Sequence, residues 1–228
     1  MQTHFEQELS ELKNRLLTMA SHAESAVTNA VKALVDRNDD LATKVEQDDE
    51  ILDQFEIDVD ELAIHLLAKA PLASDLRFIT IAMKISHDLE RVGDEATTIS
   101  RRAIELNQEP LLKPYVDIPR MAALALEMLK EAMAGFVERT PARARAVIPR
   151  DKEVDVLNKQ LHRELASFMV EDPGTITRCL HLMVISKSLE RIADHATNIA
   201  EEVVYLCEGH DIRHDPQIKT PVSTVRRV

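Results

Sequence analysis

The chain reads "LERVGDEATTIS" at residues 89–100 and "LERIADHATNIA" at residues 189–200. Each copy places Glu four residues before Asp: Glu90 and Asp94, then Glu190 and Asp194. Leu89, Arg91, Ala96, Thr97, Ile99 and Leu106 return as Leu189, Arg191, Ala196, Thr197, Ile199 and Leu206, at an offset of 100. Upstream, "LVDRND" (34–39) is echoed by "FVERTP" (136–141), and Asp49 and Asp53 by Asp151 and Asp155, at an offset of 102. The copies thus differ by two residues in the turn before the repeated motif. Such self-similarity marks an internal duplication.

The repeated unit is helical. Apolar residues recur with the helical period through most of the chain. The core residues on offer are Leu, Ile, Val, Ala and Met; aromatics make up 3% and glycines number four in 228 residues. That composition favours helices over sheets. Breaks at "RNDDL", "APLASDL", "RTPAR" and "EDPGT" and a Pro-rich stretch, "NQEPLLKPYVDIPR", divide the chain into six helices. The first runs from His4 to Arg37, and Asn38 or Asp39 caps the second, which runs to Ala70. Pro71 marks the next turn, and Ser74 or Asp75 caps a third helix ending at Asn107. The fourth begins after Asp117 with Pro119 in its first turn. Pro149 kinks the fifth or delays its start. The sixth ends at Glu208 and Gly209. The expected fold is all-α: two tandem three-helix bundles at 1–109 and 117–209, six long helices in all, with a frayed tail at 210–228.

Folding each hairpin on paper brings acids together. In an antiparallel pair, residues at one level share a mean number. Asp53 with Glu90, and Asp49 with Asp94, average 71.5, the position of Pro71 and Leu72. Asp155 with Glu190, and Asp151 with Asp194, average 172.5, the position of Asp172 and Pro173. Each half is therefore expected to gather four carboxylates on facing helices, the two acids of each helix four residues and about 6 Å apart. Bases at helical spacing are few: Arg91 and Arg191 precede the second Asp of their motifs by three, and Lys159 follows Asp155 by four. Glu90, Glu190, Asp49 and Asp53 read as having none. Clustered carboxylates protonate, pair with bases, or bind a cation. The shortage of bases leaves a divalent cation as the expected occupant, and oxygen ligands suit Mg, Ca or Mn, with Fe or Zn also served. His195 offers a nitrogen in the second half only.

Other classes are excluded or unsupported. The net charge of −12 opposes a nucleic-acid backbone as the main partner and suits a cation or a basic protein surface. "MQTHFEQELSELKNRLL" has no apolar signal core, and no uncharged apolar run approaches the ~20 residues of a membrane span. Cys179 and Cys207 fall on one helix, roughly 40 Å apart and too far for a disulfide, which fits a reducing compartment. No Glu precedes a His by three, so the di-iron Glu-x-x-His pattern is missing. A metal-dependent hydrolase or oxidase on the clustered carboxylates is the alternative reading. His22, His65, His87 and His181 read as single surface or core-edge residues, and His210 and His214 as solvated. Gly93, with Ala193 as its counterpart, reads as a packing position.

"ASDLR" (73–77), "DLERVGDEA" (88–96), "MVEDP" (169–173), "SLERIADHATNIAE" (188–201) and "GHDIRH" (209–214) occur in an order that resembles the PhoU family over nearly the whole chain. The resemblance implies paired three-helix bundles with metal-binding motifs, in some members holding multinuclear iron or zinc. Carried over, the metal positions are Glu90, Asp94, Glu190 and Asp194, with Asp49, Asp53, Asp151 and Asp155 opposite. Asn198 fits the second motif, whereas Thr98 stands where the family often has Asp or Asn, so the match is less complete in the first half. The resemblance further implies a cytoplasmic, often dimeric, non-catalytic protein. Such a protein represses phosphate uptake and the phosphate-starvation response by bridging a phosphate ABC transporter and a sensor histidine kinase.

Overall fold

The computed structural model describes residues 4–69 and 72–213. Among these the secondary structure is helical throughout: α1 (His4–Val35), α2 (Asp39–Leu67), α3 (Ala73–Asn107), α4 (Asp117–Glu138), α5 (Pro141–Val147), α6 (Asp151–Glu171) and α7 (Ile176–Glu208). Six of these are the expected long helices. The seventh, α5, exists because of Pro149. Proline lacks the N–H that would continue the helix, so the chain tightens into a 3₁₀ turn at Ile148–Arg150 before α6 starts.

Helices α1, α2 and α3 form one bundle, and α4, α5, α6 and α7 the other; α3 packs on α7, and α1 also touches α4. In α1 the buried positions Leu12, Leu16, Met19, Ala23, Val27, Ala30 and Leu34 trace one helical face. Across the junction the rings of Phe78 and Phe136 stack with centroids 5.6 Å apart, and Arg139 covers Phe78. The start of the linker is tied to both halves, with Arg37 donating to the Asn107 and Glu109 carbonyls and Arg178 to the Pro110 carbonyl.

The duplication extends to the backbone. Arg37 and Arg139, at the offset of 102, are the non-glycine residues with positive φ among those described, at 54° and 51°. After each, the chain extends at almost the same angles: φ −109°, ψ 98° at Asn38 and φ −107°, ψ 95° at Thr140. The N–H of Asn38 reaches the Ala33 carbonyl and that of Thr140 the Gly135 carbonyl, the same helix-ending bond in both halves. Asn38 then caps α2, its side chain accepting from the Leu41 N–H at 2.9 Å.

Elsewhere the boundaries moved. Leu72, not Ser74 or Asp75, holds the N-cap position of α3, without a side-chain bond. Extended backbone already begins the helix at Ala73, leaving Asp75 in the first turn, where its charge favours the helix dipole. The first helix stops at Val35 because Arg37 turns left-handed. Within the expected tail Ile212 is 2% exposed and seated in the core, while His210, Asp211 and Arg213 are exposed. Ala70, Pro71, His214 and the tail from 214 to 228 lie outside the described residues. No helix among the described residues is long and apolar enough to cross a membrane.

At Gly93 the side chains of α2 come up against α3. A Cβ there would lie 2.4 Å from Leu52 Cδ1 and 3.2 Å from an Asp49 carboxylate oxygen. Gly93→Val should therefore overpack the α2–α3 contact and lower stability by about 1–3 kcal/mol, read by urea unfolding.

Candidate functional site

Helices α3 and α7 run antiparallel through the middle of the molecule. Lys84 pairs with Glu202 at 2.9 Å, Asn198 donates to Asp88 at 3.3 Å, Arg191 to Glu95 at 3.1 Å, and His181 meets Glu105 at 3.0 Å. The residue numbers of all four pairs average 143. This single register sets the acidic motifs of the two halves side by side.

In the first half, Asp49 lies against the α3 backbone at Gly93. Its carboxyl is pushed above the usual range by burial, reinforced by the Asp53 and Asp94 carboxylates. Burial likewise raises Glu90, helped by Asp94 and then by Glu56, against the opposing pull of Arg91 and His87. One Glu90 oxygen is buried and without a hydrogen-bond partner, with Arg91 Nε 3.6 Å away. Asp94 accepts from Arg91 at 3.0 Å. In the second half, close packing raises Asp194, although the residue still reaches solvent, and the Glu190 and Asp155 carboxylates add to the shift. Asp155 lies 3.6 Å from Lys159. A crevice of about 130 Å³ is lined by Asp151, Asp194, Thr197, Asn198 and Glu201.

The structure puts Asp49 within electrostatic reach of Asp94, the pair expected at the 71.5 midpoint, and sets Asp151 and Asp194 in one crevice, with the Asp155 charge also in reach of Asp194. It does not draw either quartet into a closed ligand shell. Among the described residues, the group with three donor atoms inside 4.8 Å of one another is Glu56, His87 and Glu90. The readings of Glu190 and of three histidines need correction, His181 being the partner of Glu105 described above. Glu190 has a base after all: Lys187, three residues earlier, forms an ion pair with it. His87 is not a solitary surface residue, since its Nδ1 lies 3.0 Å from Glu56 Oε1. His195, considered as a second-half ligand, turns its Nδ1 to Asp88 of the first half at 2.8 Å.

Three acids escaped the sequence reading. Glu201 and Glu202 are each only 6% exposed. Glu201 carries a signal, because Asp194, Asn198 and Glu201 follow one helix face at i, i+4 and i+7. Glu202 lies in an inter-half cleft of about 560 Å³ with Glu56, Asp60, Lys84, His87, Asp88 and Arg213; Lys84 donates to it and Arg213 lies 3.5 Å away. Glu56 also shares the 71.5 midpoint with His87, a signal lost by counting only carboxylate pairs.

The raised carboxyls predict a pH dependence. For Asp49 and Asp194 the folded pKa lies above the unfolded one, so the folded chain binds more protons in that window. Their contribution to stability falls as pH rises from about 4 through the folded pKa values. In chelator-treated protein, Asp49→Asn combined with Asp194→Asn should raise Tm by roughly 1–3 °C at pH 7.5. The gain should vanish as the pH is lowered through that window in a thermal-melt series.

The PhoU domain model matches twice, at residues 16–103 and 118–203. A phosphate-specific transport system accessory protein PhoU homolog of Pseudomonas aeruginosa is 41% identical over 212 residues, covering 92% of this chain and 88% of the relative. An Aquifex aeolicus protein of the same description is 42% identical over 208 residues, covering 91% and 94%. The crystal structure of PhoU from Pseudomonas aeruginosa superposes with a TM-score of 0.88 at 40% identity, covering 91% of this chain and all of that one. The phosphate transport system regulatory protein PhoU of Streptococcus pneumoniae gives 0.85 at 27% identity, covering 91% and 99%. Two matched domains, near-complete coverage and the duplicated helical bundle agree: the chain belongs to the PhoU family.

Proposed function

We propose that this chain is a non-catalytic accessory protein of a phosphate-specific transport system. It restrains phosphate uptake and the phosphate-starvation response as a cytoplasmic adaptor, often as a homodimer, between the phosphate ABC transporter and a sensor histidine kinase. The observation that carries this reading is the near-full-length likeness to relatives described as accessory proteins of that system. Net acidity supports docking to basic faces of membrane partners. The reading as a metal-dependent hydrolase or oxidase draws no support from those descriptions.

Divalent cations, Mg, Mn, Fe or Zn, are proposed for both acidic faces. The donor set fits: buried or crowded carboxylates at Asp49, Glu90 and Asp194 are held uncomfortably as anions, and a cation relieves them. Asp53, Asp94, Asp151, Asp155, Glu190 and Asn198 complete the two sets. Bound cations would cross-link the helices of each hairpin and stiffen the face offered to partners.

Deleting the gene should leave phosphate uptake and the starvation response switched on under high phosphate, and wild-type chain should restore repression. Co-purification should recover the transporter ATPase or the kinase. Unchanged uptake and signalling in the deletion strain would overturn the adaptor reading. Metal analysis of purified protein should show divalent metal that drops by half or more in Glu90→Ala with Glu190→Ala.

A further inference from the structure

The duplication repeats a surface groove as well as a backbone. In the first half, Gln47, Glu50, Ile51, Gln54, Phe55 and Asp58 of α2 line a groove of about 370 Å³. Its edge is α1, whose His22 ring packs on Phe55 with centroids 5.4 Å apart and whose Arg15 lies 3.2 Å from Asp58. In the second half, Arg120 and Leu124 of α4 line a groove of about 500 Å³ with Pro149, Lys152, Glu153, Val156 and Leu157. The offset of 102 carries Gln47, Glu50, Ile51, Gln54 and Phe55 onto those last five residues in order, so the two grooves are one place in two halves. Both flank a single seam, where α1 meets α4 through Lys13 with the Val137 carbonyl and Glu24 with Lys130.

The chemistry of the two grooves is opposite. At the common positions Glu50 is replaced by Lys152, Asp58 by Gln160 and Thr18 by Arg120. Glu153 tempers the second groove, which keeps a positive balance from Arg120 and Lys152. The wider charge follows the same division. Residues 1–109 hold 23 acids and 11 bases, a net of −12, whereas residues 110–228 hold 17 of each. Helix α2 alone carries eleven acids and one lysine. Glu50 and Arg120 are exposed and have no ion-pair partner among the described residues. Ile51 and Val156 leave apolar surface open beside them, at 39% and 61% exposure.

The charged positions also share a height in the molecule. Glu50 with Gly93 averages 71.5, Lys152 with Ala193 averages 172.5, and Gly93 with Ala193 averages 143. These are the midpoints of the two hairpins and of the α3–α7 register. Glu50 and Lys152 therefore stand at one level, halfway along the central helices.

We propose that two copies of this chain associate about a two-fold axis parallel to the helices, the acidic groove of each seated on the basic groove of the other. The proposal names the contact of the homodimer put forward above and rests on that part of the reading. Rotation about such an axis leaves every height unchanged, so Glu50 meets the partner's Lys152, and symmetry makes the contact twice. Ile51 and Val156 supply apolar surface to the same contact. The alternative two-fold, first half on first half, sets Glu50 against its own copy and one −12 half against another. Juxtaposed like charges of that kind are costly.

The test is a dilution series of the full chain in the analytical ultracentrifuge, for wild type, Glu50→Lys, Lys152→Glu, the double variant and Val156→Asp. All three positions are exposed, so the variants should fold, checked by circular dichroism and Tm. Wild type should be a dimer that weakens with salt. Each single variant should raise the dimer Kd roughly tenfold or more, and the double variant should return it toward the wild-type value. A first-half-on-first-half dimer would not be weakened by Glu50→Lys and would gain nothing from the second change. A dimer indifferent to all three single substitutions, or a double variant no tighter than the single ones, would overturn the groove contact and leave the homodimer standing. A wild type that stays monomeric at every concentration would overturn both, while the accessory role is decided separately by the deletion strain.

Discussion

Lys84 with Glu202, Asp88 with Asn198, Glu95 with Arg191 and Glu105 with His181 hold α3 and α7 in one antiparallel register. Three of these pairs involve half-buried or buried carboxylates, Glu202, Asp88 and Glu95, so slipping the register would strand charge away from both partner and water. Everything else is arranged around that pair. Each central helix spends its apolar face on its own bundle and on the other half, and its polar face carries the acids. The crowding of like charges is therefore a by-product neither helix can avoid alone. The Leu, Ile, Ala and Val side chains buried along α3 and α7 supply the attraction that keeps those acids close.

The electrostatics follow from burial more than from counting charges. For Asp49, Glu90 and Asp194 the main cause of the raised pKa is loss of water; neighbouring carboxylates add to it. Bases are present but mostly face the rim, as Arg91 and Lys159 do, or are already engaged across the halves, as Arg191 is. Asp88 shows how far the halves interlock. It accepts from the first-half helix face toward His195 and Asn198 of the second, the residues flanking Asp194 and following it by one turn.

Much of this was legible in sequence because duplication supplies an internal control. The paired motifs, the Asn38 cap and the break at Pro149 each rest on local chemistry that a single strand of text carries. The hairpin midpoints were legible too, since antiparallel neighbours share a mean number. What failed has a common cause. The α3–α7 register is a contact between repeats, and neither the repeat nor the hairpin turn encodes it. Asp88, His195, Glu95 and Glu202 could not be paired without it. Lys187 and His87 are different: both stand three residues before their glutamates, a spacing that puts each on its glutamate's helix face. Ile212 was missed because one apolar residue in a polar tail carries no period.

The turns joining the hairpins differ in length, 37 positions separating Asp53 from Glu90 but 35 separating Asp155 from Glu190. Yet Asp151 and Asp194 still share one crevice, as Asp49 still feels Asp94. Hairpin tips in this fold are therefore free to lengthen or shorten in even steps without disturbing the acidic rungs below them. Such tips offer evolution a place to remodel a contact surface, and offer the experimenter a site for a tag or fluorophore, while the interior chemistry stays in place.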